Sequence, residues 1–305
     1  MSSHNSNKAV VFALGGNLAI AIIKYIVAFI TGSTAMLAES IHSTADSFNQ
    51  ILLLIGNKRS LKANSEMHSL GYSREIFFWS LIVAVLLFFV GALFSIYEGV
   101  EKVFHPEELS SVKWIFIVLI SSIIIEGKSF QVAYTEFRKN HKQSFFRAIR
   151  ESNDVNLIVV LLEDAAALLG LIIVLISTLL AWLVNPVFDA VGSISVGILL
   201  LAVSILLIVE VKGLIIGESI PREIRTKMKG IINQHSQVKH INRVQTMVMG
   251  NQKFMVLLSL DLHDELTVYQ AEDLIEHIKM DIQKQIEGIE TIYIEIKDSV
   301  RNHKV

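Results

Sequence analysis

One stretch of sequence decides the fold of this chain: Gly32-Ser-Thr-Ala-Met-Leu-Ala-Glu-Ser-Ile-His-Ser-Thr-Ala-Asp-Ser-Phe-Asn-Gln50. It opens an apolar segment that continues to Ile55. Glu39, His42 and Asp46 are spaced i, i+3 and i+7, so on a helix they share one face. Ionisable side chains are costly inside a membrane helix, and they usually face a bundle interior or a water-filled path.

His42 and Asp46 lie one helical turn apart and offer an imidazole nitrogen and a carboxylate oxygen. Both groups are suitable ligands for a small divalent cation such as zinc. A polar contact between helices, or a helix at the surface, would explain the same face without a metal. The spacing alone leaves these interpretations open.

The composition excludes an ordinary soluble domain. The chain has 305 residues, of which 52% are hydrophobic, and a mean hydropathy of +0.53. The apolar residues come in blocks of about 20, the length that a helix needs to cross a bilayer. The absence of cysteine excludes thiolate metal sites and disulfides, and the formal net charge of −2 argues against nucleic-acid binding.

The apolar blocks predict six transmembrane helices: Val10–Ile30, Ala35–Ile55, Ile76–Val100, Val112–Tyr134, Asn156–Val184 and Val187–Val211. We interpret the first block as a retained span and not a cleaved signal peptide, because it lacks a small-residue cleavage signal. The connections after the second and fourth spans are rich in lysine and arginine. The positive-inside rule then places both termini in the cytoplasm or its equivalent.

The tail after Val211 has a different pattern, in which amphipathic and alternating segments replace the long apolar blocks. Its expected elements are an amphipathic helix over Pro221–Gln234, strands over Ile241–Met249 and Phe254–Leu262, a helix capped by Thr267 and running to Gln285, and a strand over Thr291–Ile296. This αββαβ order predicts a small α+β, ferredoxin-like domain. We therefore expect a six-span transmembrane domain over residues 1–212 and a cytoplasmic domain over residues 213–305.

Among the other charged residues of the apolar spans, Lys24 and Asp189 are expected to have structural roles. Lys24, in the first span, is expected to pair with a carboxylate or to extend toward the membrane interface. Asp189 opens the sixth span, where its charge is expected to favour the helix N-terminus.

The second segment resembles the cation diffusion facilitator family of zinc and related metal transporters. The match is Gly32-Ser-x-Ala-x-Leu-Ala-Glu-x-x-His42-x-x-x-Asp46, and further matches follow in the order of the family. They are His68-Ser-Leu-Gly71-Tyr-Ser-Arg74-Glu75, Tyr97-Glu98-Gly-Val-Glu-Lys-Val-Phe-His105-Pro106 and Asn185-Pro-Val-Phe-Asp189-Ala-Val-Gly-Ser-Ile-Ser. The αββαβ order of the tail is also that of the family's C-terminal domain, so the resemblance covers nearly the whole chain.

The resemblance implies a transport site of four ligands, two from the second span and two from the fifth. His42 and Asp46 match the first pair, and Asp164 matches the second ligand of the other pair. Val160 stands where the family usually has the remaining ligand, and valine cannot bind a metal. Glu163 directly precedes Asp164. This Leu-Glu-Asp pattern resembles that of the branch of the family that includes the ninth vertebrate zinc transporter.

We therefore expect a metal shell of His42, Asp46 and Asp164, completed by Glu163, Glu39 or water. Glu163 could instead serve as a proton relay or a helix contact. Glu126, in the fourth span, could line the cavity or pair with a basic neighbour. An oxygen-rich shell favours a harder ion such as manganese, while the imidazole keeps zinc a candidate.

The resemblance implies a secondary transporter that exchanges a divalent metal for protons, with zinc ahead of manganese, iron or cobalt. Metal ligands must be deprotonated, so binding releases protons and acidity weakens it. The sequence has no Gly-x-x-x-x-Gly-Lys-Ser/Thr motif, which favours a proton gradient over ATP as the driving force. A homodimer in a lipid membrane, without an organic cofactor, is also implied. Two rival functions stay open: a non-transporting interaction protein with a decayed metal site, and an intramembrane metalloenzyme.

Overall fold

Within the residues that the structure describes, six helices form the first part of the chain, and a smaller unit of two helices and three strands forms the second. The structure is a computed structural model, and it describes residues 18–106, 109, 112–140, 155–250 and 253–299. The first part comprises α1 (Leu18–Thr31), α2 (Thr34–Ser60), α3 (Glu75–Phe104), α4 (Val112–Asn140), α5 (Val155–Leu183) and α6 (Val187–Ile216). The second comprises α7 (Arg222–Ile232), β1 (Val238–Gly250), β2 (Lys253–Leu262), α8 (Val268–Gln285) and β3 (Ile289–Ile296).

Three of the described helices, α3, α5 and α6, are long and apolar enough to cross a membrane. The described part of α1 is apolar but shorter. With 27 and 29 residues, α2 and α4 are long enough, but ionisable side chains such as Asp46 and Glu126 lower their hydropathy. The prediction of six spans is confirmed for three helices, and it stays a prediction for the other three.

Four helices continue by four or more residues beyond the ends predicted from the apolar blocks. They end at Ser60 instead of Ile55, at Phe104 instead of Val100, at Asn140 instead of Tyr134, and at Ile216 instead of Val211. The last turn of α2 carries Lys58 and Arg59, and cations there are favourable beside the exposed carbonyl groups of a helix C-terminus. The end of α6 is set by Gly217, whose φ of 118° lies in the left-handed region that favours glycine.

The N-terminus of α2 is held by side chains from its own cap and from α6. Gly32, with a φ of 68°, makes the tight turn from α1, and the Ser33 hydroxyl accepts a hydrogen bond of 3.1 Å from the amide of Met36. The Asp189 carboxylate accepts from the Ser33 hydroxyl at 2.6 Å and from the Thr34 amide at 2.7 Å. Asp189 lies in the first turn of α6, as predicted, but these hydrogen bonds go to α2.

A close backbone approach holds α3 against α6. A Cβ atom on Gly99 would lie 2.9 Å from the carbonyl oxygen of Ala190, and one on Gly197 would lie 2.9 Å from that of Ala92. Side chains at these two positions would therefore push the helices apart. Around Ala92, α3 takes the wider π-helical form over Leu87–Leu93, a form that is often found at functional sites.

The second part is a three-stranded sheet in the order β1-β2-β3, with β1 antiparallel and β3 parallel to β2. Its elements follow the predicted αββαβ order, and the largest difference is at the start of β1, which begins at Val238 instead of Ile241. The capping box of α8 is present, because the Thr267 amide donates to Gln270 Oε1 at 2.9 Å and the Gln270 amide donates to the Thr267 hydroxyl at 3.3 Å. The sequence Gly250-Asn251-Gln252-Lys253 between β1 and β2 predicts a hairpin turn, and its residues 251–252 lie outside the described residues.

Arg74, just before α3, joins the two parts of the chain. Its guanidinium group donates to the carbonyl oxygens of Leu214, at 3.4 Å, and Ile215 at the end of α6. It also lies 3.6 Å from the sulfur of Met247 on β1. A cation beside the last carbonyl groups of a helix is electrostatically favourable. The loop before α3 is thus in contact with both α6 and the sheet.

Candidate metal centre

A small cavity of about 20 Å³ lies between α2, α4 and α5. Its lining consists of polar and ionisable side chains together with one valine: Ser43, Asp46, Gln50, Glu126, Val160, Glu163 and Asp164. A space of this size holds roughly one water-sized particle. Because the lining includes several carboxylates, the cavity is suited to a small cation.

On α2, His42 and Asp46 contact each other across one helical turn. The distance from His42 Nε2 to Asp46 Oδ2 is 3.6 Å, and the His42 side chain is 0% exposed. Among the described residues, neither ring nitrogen of His42 has a hydrogen-bond partner. Buried polar atoms normally have one, so these nitrogens are free to bind a ligand. His42 lies beside the cavity, next to Asp46.

On α5, Glu163 and Asp164 both line the cavity, although consecutive side chains on a helix are rotated by about 100°. Glu163 is buried and accepts a hydrogen bond of 2.7 Å from the side-chain amide of Asn49 on α2. Asp164 accepts one of 2.9 Å from the hydroxyl of Ser129 on α4. Each carboxylate therefore has its own donor on a different neighbouring helix.

The predicted ligands surround one cavity without forming a closed coordination shell. Within the ranges that the structure describes, no group of three or more His, Asp or Glu side chains is close enough to hold a metal ion. The donor set of one imidazole and several carboxylates fits a divalent cation by its chemistry. Coordination by His42, Asp46, Glu163 and Asp164 together would require side-chain rotation, so this ligand set stays a prediction.

Three other positions from the sequence analysis are placed clearly. Val160 lines the cavity, at the position where the resemblance implied a ligand. Glu126 lines it as well. Glu39 instead pairs with Lys24, with 3.1 Å between Oε1 and Nζ.

Sequence reasoning missed four polar residues around the cavity: Ser43, Asn49, Gln50 and Ser129. Asn49 and Gln50 lie three and four residues after Asp46, so the helical spacing that identified His42 would also have identified them. Groups of this kind supply oxygen ligands or hold the ligands in position.

Two family models match this chain. Residues 10–215 match the cation efflux transmembrane domain, and residues 220–299 match the cytoplasmic domain of cation efflux proteins. The transmembrane match and the long apolar helices show that the chain is a multi-pass membrane protein.

Several proteins that are similar to this chain over most of its length are metal transporters by name. The mitochondrial proton-coupled zinc antiporter SLC30A9 of Homo sapiens is 32% identical over 285 residues, which is 91% of this chain and 50% of that protein. The Xenopus laevis protein of the same name is 35% identical over 235 residues, 76% of this chain and 42% of its own length. The manganese efflux system protein MneP of Bacillus subtilis is 26% identical over 293 residues, 95% of each chain.

The chain thus spans half or less of the length of these two zinc antiporters, and nearly all of MneP. Both family matches lie in the order that the motifs indicated, with the transmembrane domain first. Together they cover most of the sequence, and the chain therefore belongs to the cation efflux family, also called the cation diffusion facilitator family.

Proposed function

We propose that this chain is a secondary transporter that moves a divalent metal cation, with zinc as the first candidate, across a membrane in exchange for protons. The observation that carries the proposal is the carboxylate-lined cavity between α2, α4 and α5. Ionisable groups inside membrane helices usually mark an ion pathway. The names of the relatives, zinc antiporters and a manganese efflux protein, also favour a carrier over an enzyme.

The ligands would bind the ion by leaving their present partners. Glu163 would turn from the Asn49 amide, and Asp164 from the Ser129 hydroxyl, toward the space that Asp46 also lines. Because ligands must lose their protons to bind a metal, loading the site would release protons, and protons arriving from the other side would displace the metal. The same side chains would thereby couple the two fluxes.

Alternating access would require one set of helices to move against the other. The glycine contacts between α3 and α6 favour movement of these two helices as a unit. The helices α2, α4 and α5, which line the cavity, would form the other set. The two sets would stay joined at one end, where Asp189 on α6 accepts hydrogen bonds from Ser33 and Thr34 at the start of α2, so the movement would be a pivot about that end.

The metal preference would depend on the balance between His42 and the oxygen ligands. Val160 removes one ligand, which leaves a set in which carboxylates outnumber imidazole. Oxygen ligands favour manganese and imidazole favours zinc, so both ions are proposed substrates, with zinc first because of His42.

We also propose a homodimer that assembles through the cytoplasmic domain, residues 213–305, with both termini on the cytoplasmic side. Leu257 on β2 and Tyr293 on β3 are neighbours in the sheet, and their exposed fractions are 37% and 54%. Adjacent apolar side chains on a sheet surface are candidates for a protein interface. The six-span transport domain, residues 1–212, would then be paired through this surface.

The test is metal uptake by proteoliposomes that contain the purified full chain, under an imposed pH gradient. Zinc uptake should require the gradient, and manganese, iron and cobalt should compete to different extents. Uptake that persists unchanged after the gradient is collapsed would show that metal flux is not coupled to protons. A folded chain that neither binds nor transports any of the four ions would exclude the carrier and favour the decayed interaction protein.

A further inference from the structure

A buried ion pair lies next to the cavity but outside the predicted metal shell. Lys24 Nζ on α1 donates to Glu39 Oε1 at 3.1 Å and to the Ser43 hydroxyl at 2.6 Å, both on α2. The side chains of Lys24 and Glu39 are 0% exposed. Of the two roles predicted for Lys24, pairing with a carboxylate is the one observed.

Ser43 connects this ion pair to the cavity. Its hydroxyl contacts the Lys24 ammonium group, and the same side chain lines the cavity with Asp46. The ammonium group is therefore separated by one side chain from the proposed metal position. At such short range inside a protein, one charge strongly affects a divalent cation.

Glu39 depends on Lys24 for its charge balance. Its second oxygen, Oε2, is buried, and the part of the chain that the structure describes offers it no hydrogen-bond partner. This oxygen faces α5 at Gly170, where an added Cβ would lie 3.3 Å away. A buried carboxylate with one free oxygen would be costly without a paired cation. Lys24 therefore balances Glu39 in the absence of any bound ion.

We propose that Lys24 is a built-in counter-ion of the transport site and sets its affinity for the metal. The inference rests on the proposed function. By pairing with Glu39, Lys24 keeps that carboxylate out of the metal shell. The positive charge of Lys24, which lies on the other side of Ser43 from the cavity, repels a divalent cation there and so disfavours its binding. Both effects weaken binding, and a carrier needs binding that is weak enough for the ion to leave.

A counter-ion and a purely structural ion pair predict different results. If the pair only stabilised the packing of α1 on α2, removing either partner would lower stability and would not move the metal affinity in opposite directions. If Lys24 acts through its charge, loss of Lys24 should tighten metal binding, and loss of the Glu39 charge should weaken it because the ammonium group is then unbalanced. Removal of both charges should cancel the two effects.

The experiment compares the full-length parent with Lys24→Met, Glu39→Gln and the double variant. Three quantities are measured: the KM and the maximal rate of zinc uptake in proteoliposomes, and the Kd for zinc by calorimetry in detergent. We expect KM and Kd to fall about tenfold in Lys24→Met, to rise about tenfold in Glu39→Gln, and to return to within about twofold of the parent in the double variant. The maximal rate should fall in Lys24→Met, because the ion leaves slowly. The matched control is Lys212→Met, which removes an exposed lysine from α6 and should leave both constants unchanged.

The outcomes separate this inference from the proposed function. A parent that binds zinc without transporting it would contradict the transporter proposal, and the Kd series would still test Lys24. A parent that neither binds nor transports zinc would overturn both. If Lys24→Met does not fold, the comparison of Glu39→Gln with the double variant decides the question, because the raised Kd of Glu39→Gln should return to near the parental value when Lys24 is also replaced. Single variants that shift Kd in the same direction, or a folded double variant that keeps the shift of Glu39→Gln, would overturn the role of Lys24.

Discussion

The Asp189 carboxylate accepts a hydrogen bond from the backbone amide of Thr34, with 2.7 Å between Oδ2 and the nitrogen. It also accepts from the hydroxyl groups of Ser33, at 2.6 Å, and Thr34, at 3.0 Å. Because Thr34 begins α2, this contact fixes the start of the helix that carries His42 and Asp46 to the start of α6. The proposed site is thereby anchored to a helix that does not line the cavity.

Asp189→Ala should destabilise the chain by about 2 kcal/mol, because it removes a helix cap and leaves buried donors without an acceptor. Asp189→Asn keeps one acceptor oxygen and should lose less. Thermal unfolding in detergent measures the effect, with Asp264→Ala as the control because the Asp264 side chain is 91% exposed. A melting temperature for Asp189→Ala equal to that of the parent would show that the cap contributes nothing to stability.

Asp46→Asn should abolish metal uptake while the chain keeps its fold and its oligomeric state. Asp46 lines the cavity and also contacts His42. An amide is a much weaker ligand for a divalent cation than a carboxylate, so the substitution should remove a ligand. Uptake into proteoliposomes and size-exclusion chromatography measure the two properties, and Asp264→Asn serves as the control. Transport by Asp46→Asn at the parental rate would mean that the ion binds elsewhere.

Val160→His should shift the metal preference toward zinc, and Val160→Asp should shift it toward manganese. Val160 lines the cavity, so the new side chain would add a nitrogen or an oxygen ligand at that point. Competition between zinc and manganese during uptake measures the shift, which we expect to be about tenfold. Val160→Ala, which adds no ligand, separates the effect of the ligand from that of lost packing. If zinc and manganese compete in the same way in all three variants as in the parent, position 160 does not face the transport site.

The helices could be predicted from the sequence, because apolar blocks of bilayer length and helical spacing are local signals. The pairs Asn49–Glu163, Ser129–Asp164 and Lys24–Glu39 could not, since their members are separated by 114, 35 and 15 residues. Whether a polar side chain in an apolar helix meets a donor, an ion or another charge depends on how the helices pack. For the same reason, Glu163 was predicted only as a choice between metal ligand, proton relay and helix contact.

Asn49→Ala tests which of these roles Glu163 has. Without the Asn49 amide, the buried Glu163 carboxylate loses its donor, which should cost about 1–3 kcal/mol of stability in the absence of metal. If Glu163 joins the metal shell, zinc should recover this loss and raise the melting temperature of the variant more than that of the parent. An equal rise in both proteins would show that Glu163 is not a metal ligand. Gln50→Ala, which removes a neighbouring cavity amide but not the Asn49–Glu163 bond, is the matched control.

The pH dependence of the cytoplasmic domain should include a contribution from Asp261 on β2. A hydrogen bond from the Ser299 side chain lowers the pKa of Asp261, assisted by the Ser299 amide at 3.2 Å and by Lys239, whose Nζ lies 3.9 Å from Oδ2. A carboxyl group with a lowered pKa in the folded state stabilises the fold above its unfolded-state pKa of about 4, and the contribution is lost as the pH falls through the folded-state value.

Asp261→Asn should therefore weaken the packing of residues 297–299 on β2 at pH 7, and the difference from the parent should diminish as the pH falls below about 4. Denaturant unfolding of the full chain, followed by a probe attached to the cytoplasmic domain, measures this difference at each pH. Asp264→Asn is the control, because Asp264 lies 4.0 Å from the same lysine but is almost fully exposed, and exposed ion pairs contribute little. A stability difference for Asp261→Asn that is the same at pH 7 and pH 3 would show that the charge of Asp261 does not stabilise the fold. The loss would then come from the changed hydrogen-bonding geometry alone.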